Sequence, residues 1–260
     1  MLESVDRRPR ATANNFRDYL KHLALRPTGP TKRFVIFSRG RSGSTLLVDL
    51  LDSVDSVWCD DEILHYRVYF PRLHVEAQAG KVSTDIYGFK LLTYQVDQVQ
   101  GIANPKAFLQ SLVESGYQFI YLVRRNLLRY GLSNMVALQR GKFHFRDSAQ
   151  RVKYRINVDE LFDWMEASQT LADQEAKWLS GISFLELFYE DDLLKAASHQ
   201  ATVDRVCQYL QIPSTPVKTN LRRATPPRIA DFVENADELL TVIAKSPFAE
   251  YAAQELANEG

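Results

Sequence analysis

The residues best suited to chemistry form a glycine-punctuated loop in the first fifth of the chain. The segment Ser38-Arg39-Gly40-Arg41-Ser42-Gly43-Ser44-Thr45 follows an apolar run and precedes leucines at helical spacing. A loop of this kind at a helix start aims backbone N–H groups and the helix dipole at one point, which suits a phosphate group. We expect both glycines to permit backbone conformations that side chains would obstruct. The hydroxyls and Arg41 add further donors, so the pattern predicts a phosphate-binding loop, with a plain turn that caps a helix as the alternative.

The loop differs from the phosphate loop of nucleotide kinases. That motif, G-x-x-x-x-G-K-[ST], requires a lysine that reaches the β- and γ-phosphates. Ser44 occupies the position of that lysine here. A small-molecule P-loop kinase, which would also need magnesium, is therefore a disfavoured alternative.

A second group of polar residues follows another apolar run. Arg125 comes shortly after residues 119–123, and Arg129 and Ser133 follow it at four-residue spacing. Residues four apart on a helix share one side, and an arginine at the carboxyl end of a strand faces the crevice where open α/β sheets bind ligands. The pattern predicts a second anion site, with a solvated basic helix face as the alternative. A nucleoside with phosphates at two ends would satisfy both sites.

The elements that must position these residues alternate between strand and helix patterns. The alternation predicts an α/β fold, a parallel doubly wound sheet flanked by helices and similar to that of P-loop NTPases. Predicted strands cover residues 33–37, 86–92, 119–123 and 183–189, and predicted helices cover residues 105–114, 127–140, 158–179, 203–210 and the stretch from about 236. Asn157 with Glu160, and Asn235 with Glu238, have the spacing of helix-capping pairs. We expect a single domain over residues 31–260, preceded by an extension over residues 1–30 with a short amphipathic stretch at 16–25.

The composition narrows the class of protein. Lys+Arg and Asp+Glu both count 32, so the formal net charge is zero, which argues against a nucleic-acid partner. Cys59 and Cys207 cannot make a disulfide framework and indicate a reducing compartment. The N-terminus has no apolar core of a secretory signal, and no stretch approaches the ~18 apolar residues needed to span a bilayer. We therefore expect a cytoplasmic protein, and nothing in the sequence indicates its oligomeric state.

Taken together, these motifs resemble those of sulfotransferases, particularly the bacterial carbohydrate type that includes the trehalose and Nod-factor enzymes. Residues 38–47 resemble the family's 5′-phosphosulfate loop, and Arg125 followed eight residues later by Ser133 resembles its 3′-phosphate site. The family often has Arg-Asp-Pro where this chain has Arg125-Asn126-Leu127. Weaker resemblances lie at residues 88–91, 189–193 and 218–240, so the likeness covers residues 33–240.

The resemblance implies a donor, 3′-phosphoadenosine 5′-phosphosulfate (PAPS), a product, 3′-phosphoadenosine 5′-phosphate (PAP), and no metal. Sulfuryl transfer, like phosphoryl transfer, has a loose transition state, so alignment and charge stabilisation carry catalysis. The acidic run at residues 189–192 is interpreted as a strand end leading into a helix, not as a metal site. The implied donor-binding residues are Arg39, Gly40, Arg41, Ser42, Gly43, Ser44 and Thr45 in the loop, Arg125 and Ser133 at the 3′ phosphate, and Arg222 and Arg223 in the late block.

A general base must accept the acceptor's proton, and the resemblance implies Glu62 for this role. Without the resemblance, the three carboxylates at residues 60–62 indicate a solvated loop. His65 is the alternative base, because imidazole titrates near neutral pH unaided. Lys90 is a candidate for steadying the bridging oxygen or a plain strand-end lysine, and Arg41 is the candidate for stabilising charge on the leaving oxygen.

The acceptor is expected to be a carbohydrate or glycolipid, with a small metabolite or a tyrosine-bearing peptide as alternatives. The run of aromatic and cationic residues at 65–74 suits an acceptor wall, and a half-buried helix is the alternative for it. A different class of function also stays open, a non-catalytic nucleotide-binding protein that keeps both phosphate sites and has lost turnover.

Overall fold

A computed structural model describes residues 13–25, 29–140, 152–221, 223 and 225–259 of the chain. This chain divides into two compact units, the first from Met1–Val123 and Glu175–Thr219 and the second from Arg124–Gln174 and Asn220–Gly260. The single domain over residues 31–260 stays a prediction. No helix in the described part of the chain is both long and apolar enough to cross a membrane.

The described residues of the first unit form a five-stranded parallel sheet. Its strands are β1 (Lys32–Ser38), β2 (Val57–Asp60), β3 (Ile86–Leu92), β4 (Tyr117–Val123) and β5 (Phe184–Phe188). They lie in the order β2-β3-β1-β4-β5, and each neighbouring pair is parallel. The predicted α/β fold and its parallel, doubly wound sheet are confirmed. Strand β2 was not predicted, because its four residues form too short a pattern to indicate a strand.

The helices match the predicted periodicity closely. They are α1 (Ala13–Leu25), α2 (Ser44–Asp52), α3 (Pro71–Ala79), α4 (Pro105–Glu114), α5 (Leu127–Arg140), α6 (Val158–Leu179), α7 (His199–Leu210), α8 (Ala236–Ile243) and α9 (Ala249–Glu259). Short π-helical turns lie at Gln95–Val99 and Tyr189–Leu193, and 3-10 turns at Ala196–Ser198 and Ile229–Asp231. The helix α6 begins in the second unit, and its last turn, from Glu175, belongs to the first.

Strand β1 is buried on both faces of the sheet. Because side chains alternate along a strand, Phe34 and Ile36 pack in the cluster that contains the apolar residues of α2 and α7. Val35 and Phe37 face the opposite cluster, with α3, α4 and the end of α6. A parallel strand covered on both faces requires a continuous apolar run, which is why residues 33–37 predicted a strand.

The amphipathic stretch at residues 16–25 lies in the helix α1, which packs on α3. The Tyr19 hydroxyl is buried and lies 3.2 Å from Nδ1 of His74. Burial raises the pKa of Tyr19 to about 12 and lowers the pKa of His74 to about 4. Both side chains are therefore neutral near pH 7 and form an uncharged link between the two helices.

In the second unit, the two predicted capping asparagines behave differently. Oδ1 of Asn157 accepts hydrogen bonds from the backbone N–H groups of Asp159 and Glu160 at 3.0 and 3.3 Å, so this cap is confirmed. Asn235 does precede α8, but its side chain makes no cap among the described contacts. It bonds the backbone N–H and C=O of Ile156 instead, at 3.0 and 2.9 Å. The helix start predicted at Asn235 is confirmed, but its side chain joins two distant segments and does not cap the helix.

Candidate active site

The loop between β1 and α2 occupies the centre of the sheet's carboxyl edge. After β1 the chain forms β2 and β3 on one side of this strand and then β4 and β5 on the other side. Open α/β sheets bind ligands at the point where the strand order reverses in this way. The Ser42 hydroxyl donates to the Arg39 carbonyl oxygen at 2.8 Å and closes the turn. The cap of α2 is Gly43, which has no side-chain acceptor for the N–H groups of the first helical turn. An anionic ligand would supply that acceptor.

The glycines of the loop have different roles. Gly43 has φ 94°, and a Cβ atom there would lie 2.5 Å from Cδ2 of Tyr189, so this position requires glycine. A Cβ at Gly40 would meet no atom of the described residues within 4 Å, and it is Arg41, with φ 66°, that adopts the left-handed backbone. The expectation that Gly40 supplies a special backbone conformation is therefore wrong. As far as the described residues are concerned, a ligand group could approach the backbone closely at this position.

Lys90 connects the loop to the predicted base. Its side chain lies in β3 and is 2% exposed. The Lys90 ammonium donates to Oγ1 of Thr45 at 3.1 Å and lies 2.9 Å from Oε1 of Glu62. It also forms an ion pair with Asp61. The fold thus brings together a loop hydroxyl, a buried cation and the candidate carboxylate, three residues that the sequence analysis singled out separately.

The Glu62 carboxylate is held by neighbouring polar side chains that the sequence analysis missed. Nε2 of Gln95 donates to Oε2 of Glu62 at 2.7 Å, and the Tyr94 hydroxyl lies 3.3 Å from the same oxygen. The amide of Gln95 has one orientation, because its Oε1 accepts from the Leu92 N–H at 3.0 Å. Burial, followed by the charge of Glu62, raises the pKa of Tyr94 to about 12, so its phenol donates near neutral pH. The position of both residues directly after a predicted strand was the signal that could have found them.

The alternative base, His65, lies in the same turn as Glu62, but its side chain has different contacts. Its Nδ1 lies 2.5 Å from the backbone oxygen of Glu62, and its exposed ring packs edge-on against Tyr66. Among the contacts of the described residues, none joins the His65 ring to the Glu62 carboxylate. Both residues stay predicted bases.

Arg39 is engaged by a carboxylate that the sequence analysis did not single out. Its Nε and Nη2 bond the Glu175 carboxylate at 2.9 and 2.7 Å, and the Glu175 side chain is 1% exposed. Glu175 also accepts from the Tyr121 hydroxyl at 2.8 Å and contacts the Thr93 hydroxyl. No local motif marked Glu175, because it is one acidic residue among several on a long helix.

The residues predicted for the 3′ phosphate belong to the second unit. Arg125 is exposed and lies two residues before α5, whereas Ser133 is buried within α5. The expectation that Arg125, Arg129 and Ser133 share a helix face is wrong for Arg125, because the helix begins after it. Oδ1 of Asn126 accepts from the Arg129 N–H at 2.9 Å, as a helix cap does.

Arg129 itself is part of the framework of the second unit. Its guanidinium bonds the carbonyl oxygens of Pro226 and Pro227 and pairs with Glu255. Arg223 is exposed, and Arg222 lies outside the described residues.

The other sequence features have structural explanations. Asp192, in the acidic run, is buried and accepts from the Phe188 N–H at 2.7 Å and from Arg205 at 2.9 Å. The described part of the chain contains no group of three or more His, Cys, Asp or Glu residues placed to hold a metal ion. In the run at 65–74, the helix begins at Pro71, while Tyr69 and Phe70 precede it and are exposed.

Comparison with known proteins gives a match in structure but not in sequence. No protein-family model and no curated protein matches the chain. The crystal structure of a sulfotransferase from Alicyclobacillus acidocaldarius aligns with a TM-score of 0.52 and 12% identity, over 88% of this chain and 94% of that one. The chain has a sulfotransferase fold. The fold implied by the sequence resemblance is thereby confirmed.

A more distant likeness was also found. The mouse sulfotransferase SULT7A1 complexed with PAP aligns with a TM-score of 0.43 and 12% identity, over 76% of this chain and 65% of that one.

Proposed function

We propose that the protein is a sulfotransferase that moves a sulfuryl group from PAPS to a hydroxyl or amine of an acceptor. The observation that carries the proposal is the contact of one buried ammonium, Lys90, with both Thr45 of the phosphate loop and the Glu62 carboxylate. The group that stabilises the leaving oxygen and the base that removes the acceptor's proton act on opposite sides of one sulfur atom. The residues that perform these two steps therefore need to lie close together. The sulfotransferase fold supports the same reaction class.

In this proposal the loop holds the phosphosulfate end of the donor. The N–H groups at the start of α2, with Arg41 and the hydroxyls of Ser44 and Thr45, bind the 5′ phosphate and sulfate oxygens. The acceptor oxygen attacks sulfur while the bond from sulfur to the bridging oxygen breaks, and that oxygen keeps the electron pair as PAP leaves. Arg41 and Lys90 stabilise the charge that develops there.

Glu62 takes the proton that the acceptor loses. Its carboxylate is anchored by Gln95, Tyr94 and Lys90, so its oxygens are held in a defined orientation before the acceptor arrives. Lys90 carries three N–H donors and also pairs with Asp61, which keeps the ammonium in place when one donor turns towards the bridging oxygen.

The finer assignments rest on the sequence resemblance. Arg125 and Ser133 are proposed to bind the 3′ phosphate, with Arg222 and Arg223 near the nucleotide. A carbohydrate or glycolipid is the proposed acceptor, for which the exposed rings of Tyr69 and Phe70 suit contacts with sugar faces. We propose a cytoplasmic location from the cysteine usage.

The test is calorimetric titration of the protein with PAP, AMP and ATP in the absence of magnesium, followed by an acceptor screen with labelled phosphosulfate. We expect PAP to bind much more tightly than AMP or ATP, and label to pass to a carbohydrate acceptor. A preference for ATP or a requirement for magnesium would support a kinase instead. Tight PAP binding without transfer to any acceptor class would favour the non-catalytic alternative.

A further inference from the structure

The phosphate loop begins at Arg39, whose guanidinium is bound at two points by a carboxylate from α6. Nε of Arg39 lies 2.9 Å from each oxygen of Glu175, and Nη2 lies 2.7 Å from Oε2. A two-point contact of this kind fixes the plane of the guanidinium as well as its position. The pair is largely removed from solvent, with side-chain exposures of 15% for Arg39 and 1% for Glu175.

Further donors complete the environment of the Glu175 carboxylate. The Tyr121 hydroxyl donates to Oε2 at 2.8 Å, and the Thr93 hydroxyl contacts Oε1. Burial, with the added charge of Glu175, raises the pKa of Tyr121, so its phenol stays protonated and donates. A buried carboxylate without such partners would be strongly destabilising, and here arginine and hydroxyl donors satisfy it.

These partners come from the central strands of the sheet. Arg39 follows β1, Thr93 follows β3, and Tyr121 lies near the end of β4. Glu175 therefore connects the carboxyl ends of three neighbouring strands and contacts Arg39, the first residue of the phosphate loop after β1.

The same contacts restrain the main chain of the loop. The Thr93 hydroxyl lies 3.1 Å from the carbonyl oxygen of Ser38, and the Ser42 hydroxyl donates to the carbonyl oxygen of Arg39. The two consecutive peptide carbonyls on either side of Arg39 are thus each contacted by a hydroxyl. Glu175 contacts the first of these hydroxyls, whose single proton it shares with the Ser38 carbonyl oxygen, and binds the side chain of Arg39 itself. The backbone groups that would meet a phosphate lie in the residues that follow.

We infer that Glu175 is a positioning residue that holds Arg39, and through it the phosphate loop, in the conformation that binds the donor. The inference rests on the proposed function and assigns Arg39 a supporting role in donor binding, with Arg41 as the cation directed at the donor. A preorganised loop binds more tightly because less conformational freedom is lost on binding. Glu175 acts through Arg39 and touches no reacting atom.

Electrostatics alone would act in the opposite direction. Removing the negative charge of Glu175 leaves the charge of Arg39 uncompensated, and this would strengthen the attraction of the loop for any anion. The sign of the change in donor affinity therefore distinguishes loop positioning from simple charge.

The test is Glu175→Gln, which keeps the size of the side chain and removes its charge. We expect PAP to bind about tenfold more weakly by calorimetry and the KM for PAPS to rise by a similar factor, with the acceptor KM unchanged. A merely structural role would not separate the two KM values. The matched control is Glu76→Gln, because Glu76 pairs with Arg33 at 2.8 Å at the opposite end of β1. This control should leave PAP affinity unchanged.

A milder variant covers the case in which Glu175→Gln does not fold. Tyr121→Phe removes one hydrogen bond to Glu175 but leaves the negative charge of Glu175 in place, and we expect PAP affinity to fall about threefold. The inference would be overturned if a folded Glu175→Gln protein bound PAP as tightly as wild type or more tightly. It would also be overturned if Glu76→Gln lost as much PAP affinity as Glu175→Gln, or if Tyr121→Phe lost none. Wild-type protein that fails to bind PAP would instead refute the proposed function itself.

Discussion

At the scale of single residues, the candidate site depends on a charge balance around Lys90. An ammonium that is 2% exposed needs anionic and hydroxyl partners, and the neighbouring Asp61, Glu62 and Thr45 provide them. In the proposed function, one N–H of the Lys90 ammonium, which already contacts Thr45 of the loop, turns towards the bridging oxygen of the donor. Glu62, one of the two carboxylates that pair with Lys90, is the proposed general base.

The role of Glu62 predicts a separation of binding from turnover. Glu62→Gln preserves side-chain size and keeps an oxygen that can accept from Gln95 and Tyr94, but an amide cannot take the acceptor's proton. We expect PAP affinity to stay near wild type in calorimetry while turnover of labelled phosphosulfate drops by about 10²–10⁴. His65→Gln is the matched control and should keep most of its turnover. The reverse pattern would assign the base to His65.

The proposed 3′-phosphate contact makes a prediction that compares ligands. Arg125→Ala should weaken PAP binding by about 10- to 100-fold and leave AMP binding unchanged, because only PAP carries the phosphate that this guanidinium is proposed to bind. Arg155→Ala is the control, since Arg155 is an exposed arginine of the same unit that pairs with Glu238 at 3.4 Å. An equal loss for PAP and AMP would contradict the assignment of Arg125.

At the scale of elements, the turn from β1 into α2 contains two glycines with different expected roles. Gly43 is needed for folding, and Gly40 is expected to be needed for ligand binding. Gly43→Ala places a Cβ in a left-handed position against Tyr189 and should lower the free energy of unfolding by about 1–3 kcal/mol in chemical denaturation. In Gly40→Ala the new Cβ meets no atom of the described residues within 4 Å, and we expect this variant to unfold like wild type. If phosphate approaches the backbone there, Gly40→Ala should still weaken PAP binding. Wild-type affinity in that variant would place the phosphate elsewhere.

The capping asparagines give a second element-scale prediction. Asn235→Ala leaves the buried N–H and C=O of Ile156 unpaired, and we expect a loss of about 2–3 kcal/mol in the free energy of unfolding. Asn157→Ala removes an exposed cap from α6 and should cost about 1 kcal/mol. Similar losses in both variants, measured by urea denaturation, would show that the link between Asn235 and Ile156 adds little.

At the scale of the whole molecule, the buried link between α1 and α3 should make stability depend on pH. Burial, together with the neighbouring charge of Lys81, lowers the pKa of His74 to about 4, and the charge of Asp18 opposes this shift. In the unfolded chain, His74 binds a proton once the pH falls below the ordinary histidine pKa of about 6.5. In the folded chain it stays unprotonated until the pH reaches about 4, so acid favours unfolding between these two values. Stability from this group is complete above that window and is lost as pH falls through it.

Urea denaturation of wild type and His74→Gln at pH 7, 5.5 and 4 measures this contribution. Between pH 7 and pH 4, we expect wild type to lose up to about 3 kcal/mol more free energy of unfolding than the variant, which has no imidazole to titrate. Carboxylates shared by both proteins cancel in the comparison. Parallel pH profiles would mean that His74 is protonated without cost in the folded protein.

Much of the fold followed from local patterns. Strand β1 could be predicted because a strand covered on both faces must be apolar throughout, and the Asn157 cap because its partners lie within three residues. The loop predicted to bind phosphate could be located between β1 and α2 because its glycine, hydroxyl and arginine residues are consecutive. Each of these features is specified by residues that are neighbours along the chain.

The connections within the site depended on the tertiary structure. Lys90 and Thr45 are 45 residues apart and meet because β3 lies beside β1. Arg39 and Glu175 are 136 residues apart and meet because the end of α6 packs against one face of the sheet. Local periodicity indicates that a segment is a strand or a helix, but strand order depends on which apolar faces cover one another. The sequence alone therefore established the kind of fold and the loop that suits a phosphate. Only the folded sheet decided which lysine, carboxylates and amide stand beside that loop.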